Sequence, residues 1–142
     1  MGSPSKQSLI NPGNERDNCV ACFVAAVLSR RERTAAWTAA RVEATFGSTR
    51  SSQRFSRSDA LGYIERATGT TAAPKGVGFN NARLSPGFYA MFTSAGPTGG
   101  HVLVGRVLSS GMRYIYDPQV ARRLNWKALK ARYGGATAHL LT

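Results

Sequence analysis

Ser109-Ser110-Gly111 separates two segments, His101 to Leu108 and Met112 to Tyr116, that carry the β-branched and aromatic residues of strands. A three-residue connection of this kind predicts an antiparallel hairpin with its glycine in a left-handed position. Centring the pairing on Ser110 sets His101 opposite Gln119 and Leu103 opposite Asp117, with all four side chains on one face. His101 and Asp117 are then diagonal neighbours roughly 7–8 Å apart at the backbone, close enough for a side-chain hydrogen bond if the strand ends curl together. A two-residue loop would turn one strand over and undo the arrangement.

The rest of the chain supplies helices before this hairpin and more sheet around it. Val20, Phe23, Val24, Val27 and Leu28 follow the spacing of a helix with one apolar stripe, capped by Asp17 or Asn18 and ended by Ser29-Arg30-Arg31. A second helix is expected from Ala35 to Phe46, stopping at Gly47, and a third after a Ser58 cap, with Leu61, Ile64 and Ala67 inward and Gly69 at its end. Pro74 to Pro86 reads as irregular, Phe88 to Thr93 as a strand, Asn125 as the cap of a short helix through Tyr133, and Ala136 to Leu141 as an edge strand. The prediction is an α+β fold. Residues 1–17 are expected to be a loop and linker, beginning with three residues of the kind cloning leaves behind, and residues 18–142 a single domain. No apolar run approaches the roughly 20 residues of a membrane-spanning helix, and no membrane partner is expected.

Nineteen Lys and Arg against seven Asp and Glu give a net charge of +12, which points to an acidic partner. The cations are dispersed, with no block of like charge that reads as a nucleic-acid tail. Past Arg66 the chain carries nine cations and one acid, Asp117. A lone carboxylate beside a histidine strand is a functional candidate, although Asp before Pro118 is also an ordinary way to start a turn.

Chemistry enters with Asn18-Cys19-Val20-Ala21-Cys22 at the start of the first helix. Unpaired N–H groups and the helix dipole favour a thiolate there, and the N–H groups around Cys19 and Val20 can stabilise an oxyanion. Cys19 as nucleophile, His101 as base and Asp117 as its orienting carboxylate predict a cysteine-dependent acyl-transfer enzyme. Cys22, deeper in the apolar stripe, is the alternative nucleophile and otherwise packing, as free cysteines usually are. Asn18 and Gln119 are candidate supporting residues, Gln119 by positioning His101, by donating to the oxyanion, or by fixing the turn after Pro118. A zinc site of Cys19, Cys22, His101 and His139 has poor ligand spacing, so no metal and no cofactor is expected, and His139 reads as structural or exposed.

Five segments in order, Ile10-Asn11-Pro12, Asn18-Cys19-Val20-Ala21-Cys22, Ala44-Thr45-Phe46-Gly47-Ser48, Gly99-Gly100-His101-Val102 and Tyr116-Asp117-Pro118-Gln119, give the chain its family likeness. It resembles the papain-fold toxin domains at the C-termini of bacterial polymorphic toxins, often described as glutamine deamidase toxins. The resemblance implies a papain-like fold in which the helix bearing Cys19 packs on an antiparallel sheet bearing His101 and Asp117. It implies deamidation of a glutamine in a target-cell protein, delivery as part of a larger secreted or contact-delivered bacterial protein, action in the target-cell cytoplasm, and an immunity protein, expected to be acidic. Val104-Gly105-Arg106 departs from the more polar, asparagine-containing strand common in the family, and the tail from Leu124 matches nothing in it.

The same three residues also suit proteolysis, or transamidation if an amine reaches the thioester before water. From another class, a basic module could bind nucleic acid or an acidic protein without chemistry. That reading explains the charge but leaves the Cys, His and Asp placement as coincidence, and Phe79, Phe88, Tyr89 and Phe92 read as core rather than as a stacking platform.

Overall fold

The computed structural model describes residue 10 and residues 18–33, 37–49, 56–93 and 101–142. Among them the chain is α+β, with four helices and a five-stranded antiparallel sheet. The chain divides into two compact units, Met1–Gly69 with Pro118–Ala121, and Thr70–Asp117 with Arg122–Thr142. Ile10, inside the expected leading loop, is helical and buried; the rest of that segment lies outside the described residues.

The first unit is helical. α1 (Cys19–Arg31) buries Val20 to Ala25 in an unbroken run, so past Cys19 its first turns are buried around the helix rather than along the one stripe that the apolar spacing suggests. α2 (Ala39–Phe46) starts later than expected. Thr38 Oγ1 accepts from the Arg41 N–H at 3.1 Å, and this cap fixes the first turn four residues past Ala35. α3 (Arg57–Thr68) is capped by Ser56 and not by Ser58, because Ser56 stands three residues before Asp59, whose N–H it accepts at 3.0 Å. It ends at Gly69 as expected. Arg31 Nη1 donates to the Thr68 carbonyl at 2.6 Å, tying the ends of α1 and α3, and the Tyr63 hydroxyl donates to the Gly47 carbonyl at 2.7 Å. The Arg41 guanidinium lies 3.8 Å over the Trp37 ring, whose other neighbour, Phe46, stacks at 6.0 Å.

The second unit is the sheet, with order β4-β3-β2-β1-β5 and every pair antiparallel. β1 is Gly87–Thr93, β2 Val102–Val107, β3 Arg113–Asp117, β4 Arg122–Leu124 and β5 Ala136–Leu141, and α4 (Trp126–Tyr133) lies between the last two in sequence. β2 and β3 pair Val104 with Tyr116 and Val107 with Arg113, which is the register expected from a loop centred on Ser110. Gly111 has φ +91 in that loop, the left-handed geometry for which the sequence reserves a glycine. β4 was invisible to alternation: three residues, two of them exposed arginines, are too few to show a period.

One face of the sheet carries Tyr89, Met91, Leu103 and Ile115, packed with Phe79 and with Leu129 and Tyr133 of α4. Gly105 sits under this cluster, where a Cβ would come within 2.6 Å of Met91 Sδ and 2.9 Å of Phe79 Cε1. Asn125 caps α4 as expected, its Oδ1 accepting from the Ala128 N–H at 2.7 Å. β5 is the expected edge strand, and Thr71, Ala73 and Val77 close it with backbone hydrogen bonds to Thr142, Leu140 and Ala138. The opposite edge, β4, is guarded by its arginines, a common protection against strand addition.

Candidate active site

Cys19 is the first residue of α1 and is partly exposed, whereas Cys22 is fully buried. Asn18 occupies the N-cap position, yet its side chain caps nothing in the helix. Its Oδ1 instead accepts from Gln119 Nε2 at 3.2 Å and lies 3.5 Å from Cys22 Sγ. Asn18 and Gln119 are both buried, so this bond between residues 101 apart in sequence is made out of water, where each amide needs its partner. The segment Pro118–Ala121 thereby belongs to the unit that holds Cys19. With its oxygen turned away, Asn18 gives the first turn of α1 no side-chain cap, whereas Thr38, Ser56 and Asn125 each cap their own helix.

In the sheet unit, His101 stands just before β2 and Asp117 ends β3. Thr93, at the end of β1, fixes the histidine backbone twice: its Oγ1 accepts from the His101 N–H at 2.9 Å, and its own N–H donates to the His101 carbonyl at 2.9 Å. His101 Nε2 and Asp117 Oδ2 are 2.9 Å apart, with 15% of the histidine side chain exposed and 3% of the aspartate. The diagonal contact expected from the hairpin register is therefore made. Asp117 is more than a turn former, since its carboxylate is turned to the imidazole.

Tyr133, which the sequence offered only as the last residue of a helix, stands beside the pair, its ring 6.0 Å from that of His101. Its phenol is pushed up from the ordinary value, first by burial and then by the negative charge of Asp117, against the opposing pull of Arg132 and Arg122. Thr93 carried no signal in sequence, and Tyr133 only the weak one of a tyrosine on an otherwise small apolar helix face.

Of the two roles expected for His139, structural or exposed, the structure shows the first. It is buried on β5, donates from Nδ1 to the Ala73 carbonyl at 2.8 Å and meets Phe92 edge-on at 5.9 Å. No group of three or more His, Cys, Asp or Glu side chains able to hold a metal ion occurs among the described residues. The structure thus brings together His101 with Asp117, and Asn18 with Gln119 and Cys22; Cys19 belongs to the first unit and the His–Asp pair to the second. Comparison with protein-family models and with curated protein sequences finds no match.

Proposed function

We propose that the chain is a papain-like cysteine hydrolase that deamidates a glutamine side chain of a target protein, with Cys19 as nucleophile, His101 as acid and base, and Asp117 as its orienter. The observation that carries this reading is the 2.9 Å bond between His101 Nε2 and the buried Asp117 carboxylate. A carboxylate on Nε2 holds the imidazole in one orientation and stabilises its cationic form, and assigns the other ring nitrogen, Nδ1, to the thiol. Support comes also from a partly exposed cysteine opening a helix whose N-cap residue, Asn18, makes no side-chain capping bond.

In the proposed cycle the Cys19 thiol gives its proton to His101 and the thiolate attacks the carboxamide carbon. First-turn N–H groups, that of Val20 among them, stabilise the oxyanion. Imidazolium then protonates the departing nitrogen as the carbon–nitrogen bond breaks, releasing ammonia and leaving a thioester. Water, giving a proton to His101, attacks the thioester; collapse expels the Cys19 thiolate, which recovers its proton, and glutamate is the product. In this reading Gln119 acts through Asn18, holding the residue that precedes the nucleophile.

On the same reading the chain is the toxic domain of a larger secreted or contact-delivered bacterial protein, acting in the target-cell cytoplasm and neutralised by an acidic immunity protein. Peptide mass spectrometry of cells expressing the wild type or Cys19→Ala tests the chemistry. Site-specific conversion of glutamine to glutamate that requires Cys19 is expected. New chain termini would make the enzyme a protease, and identical proteomes would remove the enzymatic reading.

A further inference from the structure

The sheet unit carries nine lysines and arginines, and its one carboxylate side chain, Asp117, is buried on His101. Two of those cations stand at that pair. Arg122 is the register partner of Asp117 across β3 and β4. Directly opposed residues have Cα atoms roughly 4.5–5.5 Å apart and side chains on the same face. Arg132 is on the last turn of α4, with its guanidinium 5.6 Å from the Tyr133 ring. The Tyr133 ring lies 6.0 Å from that of His101, so Arg132 beside that ring and Arg122 opposite Asp117 both border the His101–Asp117 pair. Both arginines are exposed and keep donors in solvent.

We propose that Arg122 and Arg132 form an anion-recognising rim beside His101, and that the reacting amide reaches the site on an acidic protein segment. The reaction rests on the hydrolase reading above; the recognition rests on the sheet unit alone. Planar guanidinium forks match carboxylates in two-point geometry, and no exposed carboxylate of this unit competes for them. Nucleic acid fits less well. Three rings of this unit already carry guanidinium groups, Tyr133 that of Arg132, Tyr114 that of Arg123 at 5.5 Å and Phe88 that of Arg106 at 5.2 Å, which takes them out of use as platforms for bases.

The test uses the full chain carrying Cys19→Ala and two labelled pentapeptides with a central glutamine, flanked by glutamates in one and by alanines in the other. Fluorescence anisotropy should show the glutamate-flanked peptide binding at least fivefold more tightly. That preference should vanish when Arg122→Gln and Arg132→Gln are added, and persist with Lys75→Gln and Arg83→Gln, an equal change of charge elsewhere in the unit. Equal affinity for the two peptides, no binding of either, or equal loss in both double variants overturns the rim. So does an oligothymidylate that binds through the same two arginines more tightly than the glutamate peptide. Conversion of the peptides by wild type is scored separately: rim-dependent binding without conversion overturns the hydrolase and keeps the rim, and conversion indifferent to the flanks does the reverse.

Discussion

His101 and His139 belong to the same unit, and each places one ring nitrogen on an oxygen at almost the same distance, 2.9 Å to Asp117 and 2.8 Å to the Ala73 carbonyl. The partners differ in kind. A carbonyl only accepts, so Nδ1 of His139 carries a proton, while its Nε2 is buried with no hydrogen-bond partner among the described residues. That ring fills space against Phe92 and holds the chain around Ala73 onto β5. A carboxylate partner instead supports a positive imidazole, and His101 keeps a path to solvent. A histidine hydrogen bond thus says little about role; the charge of the partner and the access of the ring say more. The same division separates Cys19 from Cys22 by exposure, and Asn18 from Asn125 by whether the side chain caps its helix.

The largest expected effect breaks or upholds this comparison directly. His101→Ala should lower kcat/KM for glutamine hydrolysis by roughly 10²–10⁴-fold, the usual contribution of a positioned acid and base, and leave the urea midpoint near that of wild type. His139→Ala should do the opposite, costing about 1–3 kcal/mol of stability through its lost contacts while the folded fraction keeps its activity. A folded but inactive His139→Ala protein would remove the distinction. Alkylation sharpens it for the thiols. Iodoacetamide should modify Cys19 in the native chain and leave the fully buried Cys22 intact until urea is added, as read by peptide mass spectrometry. Native labelling at Cys22 would reverse their assignments.

Much of this was legible in sequence because it depends on local geometry. The register that carries His101 to Asp117 follows from three loop residues, one of which must take φ +91, and strand pairing then leaves no freedom. Asn125 and Gly69 mark helix ends through chemistry confined to one turn. What sequence missed depends on distant partners. Asn18 looks like any other cap, and only the approach of Gln119, 101 residues later, draws its oxygen away from the helix. Thr93 and Tyr133 acquire meaning from the strand and helix beside His101, not from their own neighbours. The second and third helices started elsewhere because Thr38 and Ser56 were available at the right offset from an unpaired N–H.

The asparagines offer the next, smaller contrast. Asn125→Ala removes one cap and should cost about 1 kcal/mol. Asn18→Ala strips a buried acceptor from Gln119 and should cost about 1–3 kcal/mol, the range for a buried polar group left without its partner. Urea midpoints with matched slopes measure both. If Asn125→Ala proves the more damaging, the Asn18 to Gln119 bond contributes little and Asn18 is an ordinary first residue before a helix.

The smallest effect concerns Tyr63, a buried tyrosine of the helical unit, set against Tyr133 beside His101. Burial first, and then the charge of Glu43, push the Tyr63 phenol up to about 12, with Arg66 pulling the other way. In the unfolded chain it titrates near 10.0, so the folded state binds this proton more tightly. The resulting stabilisation is whole below pH 10 and is lost as pH rises from about 10 to about 12. Tyr63→Phe abolishes that dependence and costs about 1 kcal/mol at neutral pH for the hydrogen bond to Gly47. Across the alkaline window the wild type should therefore lose more stability than Tyr63→Phe. Tyr133→Phe should likewise flatten the alkaline decline, because burial and Asp117 raise that phenol too. Unlike Tyr63→Phe, it also alters a ring that lies 6.0 Å from that of His101, so kcat/KM should fall for Tyr133→Phe and stay at the wild-type value for Tyr63→Phe. Equal activity in the two variants would mean that Tyr133, like Tyr63, serves stability alone.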